Sequence, residues 1–541
     1  MSQSSTRVSS RSRARRALAA FCALAAAAGL AACGPQGPGV RVTSSSKPSV
    51  STAPVPQDLE TFYDQDLSWY PCDEGDDVDP LASGAKADFE CATIKVPLDY
   101  EDPQGQTIDL ALKRLRAKRE PLGTLFINPG GPGGSGVKMV DTITSQFPSE
   151  LLGAYDIVGF DPRGVGASTP VDCLTDEEMD AERNAPDDTA STTPEQDQEA
   201  LTQDVTEFEA KCEQNSPEGL LDHIDTVSAA RDLDVMRALV GDSALTYVGY
   251  SYGTYLGATY AELFPSNVGR MVLDGAVDPT LSSASLSEGQ AKGFEAALRA
   301  YVEDCQSGKD CPLSGDVDQG VKQVQDFFES LKSNPLPTAD PNRKLTASLA
   351  RSTVITFLYV SEYWDLLTEA LAQAMHEQDG SQMLYYNDQF AERSEDGSYE
   401  GNGDEVISAI NCLDYPVQGD PATWTEQASK LKEVSPTFGE SLAYQDLYCQ
   451  VWGHSSSRAH DSIKAQGAAP ILVIGTTGDP ATPYEWSQAL AEQLDSGQLL
   501  TWEGNGHTAF GRSGPCVTNP VTEYLLNGTM PKEGLTCKGE E

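Results

Sequence analysis

Positive charge is scarce in this sequence. Lys and Arg number 37 against 82 Asp and Glu, a formal net charge of −45 over 541 residues. So acidic a chain repels phosphate backbones and anionic headgroups, which excludes nucleic acid and anionic membrane surfaces as partners. Histidine is scarcer still: there are only five, His223, His376, His454, His460 and His507. No pair among the 12 Cys has CxxC spacing and no His stands near them in a ligand pattern, so no metal is expected. The Gly-rich stretch Asn128–Gly136 is followed by no Lys-Ser/Thr and lacks dinucleotide spacing, which argues against phosphate binding. No cofactor is called for, no internal repeat is found, and a monomer is expected.

What is present begins with a leader. Arg7, Arg11, Arg13, Arg15 and Arg16 precede an apolar, Ala-rich stretch, Ala17 to Ala32. That stretch is short for a membrane span but suits the apolar region of a signal peptide, residues 1–32. It ends Leu30-Ala-Ala-Cys33, which resembles a bacterial lipobox whose Cys33 becomes lipidated. An ordinary small-residue cleavage site is the alternative. The Arg15-Arg16 pair invites a twin-arginine export reading, but its flanks fit poorly. From Gly34 to Gln57 the chain is rich in Gly, Pro, Ser and Thr, so residues 33–57 read as an anchor and flexible tether. The expectation is an exported protein on the outer face of the cell membrane, touching it only through a lipid at Cys33.

Cys22 lies inside the leader, so Cys33 and ten further cysteines remain. An even number in an exported chain suggests disulfides. Neighbour pairing is the simplest arrangement: Cys72 with Cys91, Cys173 with Cys212, Cys305 with Cys311, Cys412 with Cys449, Cys516 with Cys537. Sequence leaves the connectivity open.

The length exceeds what one small domain needs. Short apolar runs read as buried strands: 123–128, 155–160, 245–249, 270–274, 469–475 and 497–501. A helix from about Gly253 to Phe264 follows the third run. Strands alternating with helices imply a doubly wound, mostly parallel sheet of the α/β class. Nearly two hundred residues separate Asp274 from Pro470. They read mostly as helix, at 288–304, 317–333 and 351–377. An insertion of this size is expected to be a helical cap over the strands' C-terminal edge, where open α/β sheets bind ligands. The expected division is a core at 58–280, a cap at 281–465 and the rest of the core at 466–541.

Gly249-Tyr-Ser251-Tyr-Gly253 sits between a strand and a helix. G-x-S-x-G in that setting makes a sharp turn that lifts the Ser hydroxyl above the sheet, so Ser251 is the expected nucleophile. The helix N-terminus offers the Tyr252 N–H to a developing oxyanion. Glycines 130, 131, 133, 134 and 136 follow the first clear strand, where backbone can approach a ligand closely. Gly131, with Gly130 close behind, is the candidate second oxyanion donor. His507, in the polar loop Glu503-Gly-Asn-Gly-His507, is the expected base, and the other four His read as ordinary. Asp479, at the end of the preceding strand, is the expected acid. Thr482-Pro-Tyr-Glu485 reads as a capping box with Pro at the first helical position, so Thr482 is assigned to structure. Asp161-Pro-Arg-Gly164 reads as scaffold. The order Ser, Asp, His is that of the α/β-hydrolase fold.

Pro129-Gly-Gly-Pro-Gly133, Asp161-Pro-Arg-Gly164, Gly249-Tyr-Ser-Tyr-Gly253, Gly478-Asp479 and Gly506-His507 together resemble the actinobacterial secreted tripeptidyl aminopeptidases. These belong to the wider proline iminopeptidase family of serine peptidases. The resemblance spans nearly all of the chain after the tether. One departure is Pro129, where proline iminopeptidases usually have His. The resemblance implies a serine exopeptidase that removes short peptides from free N-termini, with cap carboxylates pairing the substrate ammonium. Asp414 is the first candidate for that role and Glu362 the second. Two alternatives stand beside it: a secreted carboxylesterase or lipase with the same triad, and a catalytically inactive binding lipoprotein.

Overall fold

The apolar runs become the middle of a ten-stranded sheet. The computed structural model describes residues 54–72, 89–186, 193–455 and 462–539. The expected leader, Cys33, most of the tether and His460 lie outside them. The strands are β1 (Tyr70–Pro71), β2 (Phe89–Pro97), β3 (Thr107–Leu115), β4 (Thr124–Asn128), β5 (Asp156–Phe160), β6 (Leu245–Tyr250), β7 (Val268–Asp274), β8 (Ile471–Gly478), β9 (Gly497–Asn505) and β10 (Thr536–Lys538). Their spatial order is β1-β2-β3-β5-β4-β6-β7-β8-β9-β10. From β5 through β10 every pairing is parallel, and β1 to β3 add an antiparallel edge that joins β5. This is the α/β-hydrolase arrangement.

Helices cover both faces, so the central strands are apolar throughout and their side chains alternate between two cores. Phe126, Val158, Tyr247, Met271 and Val473 enter one core. Leu125, Ile127, Ile157, Val248, Val272 and Leu472 enter the other. Neither β2 and β3 nor β10 is anticipated from sequence. In β2 and β3, charged residues such as Glu90, Lys95, Lys113 and Arg114 interrupt the apolar run. β10 is three residues long, and a disulfide between Cys537 and Cys516 ties it to the helix Pro515–Asn527.

The insertion is helical, with a core of its own built from Phe294, Tyr301, Phe327, Phe357, Trp364 and neighbours. Its later helices behave differently. Val406, Ile410 and Leu413 of the helix Gly403–Asp414, and Trp452 of the helix Gln445–Trp452, pack into the first sheet core together with Val205 and Cys212. By packing, then, the stretch 281–465 is not one body. It also meets the C-terminal ends of the strands. A Cβ on Gly133, after β4, would lie 3.0 Å from Val406 Cγ1 and 3.1 Å from the Gly403 carbonyl. Asn402 donates from Nδ2 to the carbonyls of Gly164 (2.9 Å) and Val171 (2.8 Å).

One expected cap helix, 351–377, is broken. It becomes a helix Ala347–Leu358, a turn Ser361–Tyr363, a helix Trp364–Ala372 and a π-turn Gln373–Glu377. The break frees the Tyr359 carbonyl, which accepts from His507 N at 2.7 Å. All five neighbour disulfides are formed: Cys72–Cys91, Cys173–Cys212, Cys305–Cys311, Cys412–Cys449 and Cys516–Cys537. Among the described residues no helix is long and apolar enough to cross a membrane.

Candidate active site

Ser251 stands between the strand β6, which ends at Tyr250, and the helix Tyr252–Leu263. Its backbone has φ 54° and ψ −126°, a region that residues with a side chain rarely occupy. Three contacts hold it there. Ser251 N donates to the Asp274 carbonyl (2.9 Å), and the Ser251 carbonyl accepts from Thr254 N (2.8 Å) and Thr254 Oγ1 (2.6 Å). The flanking glycines are required by contact. A Cβ at 249 would lie 2.3 Å from the Gly253 carbonyl, and one at 253 would lie 2.7 Å from Asn128 Oδ1.

The Gly-rich loop after β4 lies against this elbow. A Cβ on Gly130 would stand 2.8 Å from Ser251 Cβ and 3.2 Å from Tyr252 N. The loop therefore reaches the expected oxyanion position. Its two candidate donors are unequal. Gly130 N already donates to Asn128 Oδ1 at 3.0 Å. Gly130 thus supplies close approach, and Gly131 is the donor to carry forward.

Asp479, at the end of β8, is 4% exposed and faces His507, which follows β9. His507 Nδ1 lies 2.8 Å from Asp479 Oδ1 and 2.9 Å from Oδ2. A carboxylate only accepts, so Nδ1 carries the proton and Nε2 presents its lone pair. Nε2 is buried and has no hydrogen-bond partner among the described residues. Asp479 is held in turn by Ala481 N (3.0 Å) and Thr482 N (2.9 Å) on Oδ1, and by Thr482 Oγ1 (3.1 Å) and Thr508 N (3.2 Å) on Oδ2. The expected capping box at Thr482 is absent. The following helix starts at Tyr484 with Pro483 at its cap and no side-chain cap bond. The Thr482 hydroxyl goes to Asp479 instead and lies 3.3 Å from His507 Nδ1.

Three residues around His507 have no motif and are missed by sequence reasoning. Asp274, at the end of β7, is fully buried and accepts from Ala509 N (2.9 Å) and Phe510 N (2.6 Å). Burial raises its carboxyl to about 6, against the pull of those two N–H groups and of His507. Tyr359 sets its ring edge-on to His507, centroids 5.3 Å apart. Burial, and then the Asp479 charge, push its hydroxyl up to about 12. Arg512 donates to the Thr508 carbonyl (2.8 Å), the Asn505 carbonyl (3.0 Å) and Glu362 Oε2 (2.7 Å). It bolts the cap turn Ser361–Tyr363 to the His507 loop.

That contact changes the reading of Glu362, whose charge is met by Arg512 and which is a structural partner at the rim. Asp414 ends the helix Gly403–Asp414, and its two oxygens accept from Thr226 N (2.9 Å) and Thr226 Oγ1 (2.5 Å). The same hydroxyl bonds the Tyr252 phenol, so two hydrogen bonds through Thr226 join Asp414 to the Tyr252 side chain. Asp161 and Arg163 are scaffold: Asp161 accepts from Ser135 Oγ and Ala167 N, and Arg163 forms a fully buried pair with Asp232 at 2.7 Å.

Residues 435–537 match the family described as TAP-like protein. The chain is 35% identical to Serine protease Hip1 of Mycobacterium tuberculosis over 484 residues, 87% of this chain and 91% of that one. It is 37% identical to Carboxylesterase B of the same species over 457 residues, 83% and 86% of the two chains. It is 31% identical to Tripeptidyl aminopeptidase of Streptomyces lividans over 462 residues, 83% of each. The chain belongs to the TAP-like family of α/β-hydrolase enzymes.

Proposed function

We propose that the protein is an exported serine exopeptidase that releases short peptides, tripeptides first among them, from free N-termini through an acyl-enzyme on Ser251. The observation that carries the chemistry is the imidazole of His507. Its Nδ1–H is fixed on Asp479 while its buried Nε2 is left without a partner. Nε2 takes the Ser251 proton as Oγ attacks the scissile carbonyl, then gives it to the leaving amine. The Tyr252 and Gly131 N–H groups receive the oxyanion. Water, deprotonated by the same nitrogen, cleaves the ester and restores Ser251.

The exopeptidase part rests on the cap and on the relatives' names. Cap elements touch the Gly133 loop, the Gly164 turn and the His507 loop, which supports reading the site as roofed rather than laid along an open groove. A roof admits chain ends more readily than the middle of a folded substrate. Asp414 is carried forward as the carboxylate for the substrate ammonium, because the Thr226 hydroxyl joins it to Tyr252. The leader and Cys33 support lipid anchoring outside the cell. A carboxylesterase is the second reading, favoured by the relative that carries that name.

Fluorogenic peptides of one to four residues, with free and with acetylated N-termini, test the assignment beside simple acyl esters. Cleavage should require the free N-terminus and be lost in Ser251→Ala. Equal turnover of acetylated peptides, or a preference for acyl esters, overturns the exopeptidase reading and favours the esterase.

A further inference from the structure

A second cluster of ionisable side chains lies outside the site just described. Glu209 and Glu213 are four residues apart on the helix Pro194–Asn215, so both point from the same face. His454 reaches that face from the segment following the helix Gln445–Trp452. Its Nδ1 lies 2.8 Å from Asp222 Oδ1 in the turn Leu220–Asp222. As the carboxylate only accepts, Nδ1 is protonated there and Nε2 is turned toward the two glutamates. Nε2 lies 3.4 Å from Glu209 Oε1 and 3.5 Å from Glu213 Oε1.

Those separations decide between two occupants. A ring N–H donating to a carboxylate sits about 2.7–2.9 Å from it, so Nε2 is too far from either oxygen for a good hydrogen bond. Ligands held about 2.0–2.2 Å from a tetrahedral zinc ion are spaced roughly 3.3–3.6 Å apart, which matches both distances. All three ligand atoms lie within 4.8 Å of one another. The charge agrees: three carboxylates converge on one imidazole, and no Lys or Arg pairs with them among the described residues. The His454 side chain is 11% exposed and Glu213 is 42% exposed, which leaves water room to complete the coordination. The Asp222 contact is the carboxylate–imidazole support that commonly orients a metal-binding histidine.

We propose that Glu209, Glu213 and His454 bind a divalent transition-metal ion of the zinc type, with Asp222 orienting the imidazole. The ion would staple the helix Pro194–Asn215 to the segment after the helix Gln445–Trp452. The proposal does not depend on the activity assigned above. No such site is expected from sequence, because its ligands are some 240 residues apart and form no motif.

Untagged protein, stripped with chelator and dialysed, is titrated with zinc chloride by calorimetry and with cobalt chloride by visible absorption. The wild type should bind one equivalent of zinc, give a tetrahedral cobalt spectrum and melt at a higher temperature with metal. Glu209→Gln and His454→Ala should each weaken binding at least about tenfold, and Asp222→Asn about ten- to a hundredfold. Circular dichroism and a cooperative thermal melt show that each variant is folded. If His454→Ala fails to fold, the exposed Glu213→Gln carries the test. The proposal is overturned if the wild type binds no zinc at micromolar concentration, or if the variants bind it as well as the wild type. It is equally overturned if acid alone stabilises the protein and metal adds nothing, which would assign the cluster to a protonated imidazole.

Discussion

Ser251 illustrates how one residue couples stability to chemistry. Its left-handed φ of 54° costs about 1–3 kcal/mol for a residue with a Cβ. Ser251→Ala removes the nucleophile and keeps that cost, whereas Ser251→Gly removes both. Both variants should be inactive, and the glycine variant should melt higher by the equivalent of about 1 kcal/mol. Equal melting temperatures would mean that the elbow stores no strain. Asp274 supplies a second test at this scale. Its carboxyl is raised to about 6 in the folded protein, above the ordinary value near 3.8. Between those values the folded state holds the proton more firmly than the unfolded state. Its contribution is therefore full below about pH 4 and lost as pH rises toward 6, by an amount of order 3 kcal/mol. The unfolding free energy of wild type minus Asp274→Asn should fall across that window and level off above it. A flat difference from pH 4 to 7 would contradict the shifted carboxyl.

At the scale of elements, the disulfides and the broken cap helix matter most. Cys412–Cys449 joins two helices that pack on the sheet and closes a span of 37 residues, whereas Cys305–Cys311 spans 6. Chain-entropy reasoning gives about 4 kcal/mol for the longer loop and about 2 for the shorter. Replacing Cys412 and Cys449 by Ala should lower the denaturant midpoint clearly more than replacing Cys305 and Cys311. The reverse order would place the stabilisation in native packing rather than in the closed loop. Elements also show what sequence could reveal. The parallel strands β4 to β8 were legible because burial on both faces leaves them largely apolar, and β9, which is only half-buried, through its short run Leu499-Leu500. The elbow, Asp479 and His507 were legible because each closes such a strand. Tyr359, Asp274 and Arg512 were not, because their effect on His507 comes from packing between distant segments. The helix break at Tyr359 was hidden for the same reason: the apolar pattern continues through it, and the tertiary bond from His507 N to the Tyr359 carbonyl coincides with the interruption.

Across the whole molecule, the sheet edge and the cap divide the labour. The ends of β6, β8 and β9 bring Ser251, Asp479 and His507 to the C-terminal edge, β7 places Asp274 behind the His507 loop, and β4 leads into the Gly-rich loop. Residues of the insertion meet this edge at three points, Asn402 on the Gly164 turn, Tyr359 on His507 and Glu362 on Arg512. The central claim is that this edge makes Ser251 a nucleophile with His507 as its base. Intact-mass measurement after exposure to a fluorophosphonate, followed by peptide mapping, tests it most directly. One adduct per chain, located on Ser251, absent from Ser251→Ala and formed at least about a hundredfold more slowly in His507→Ala, is the predicted result. An adduct at another residue, or full-rate labelling without His507, would contradict the account.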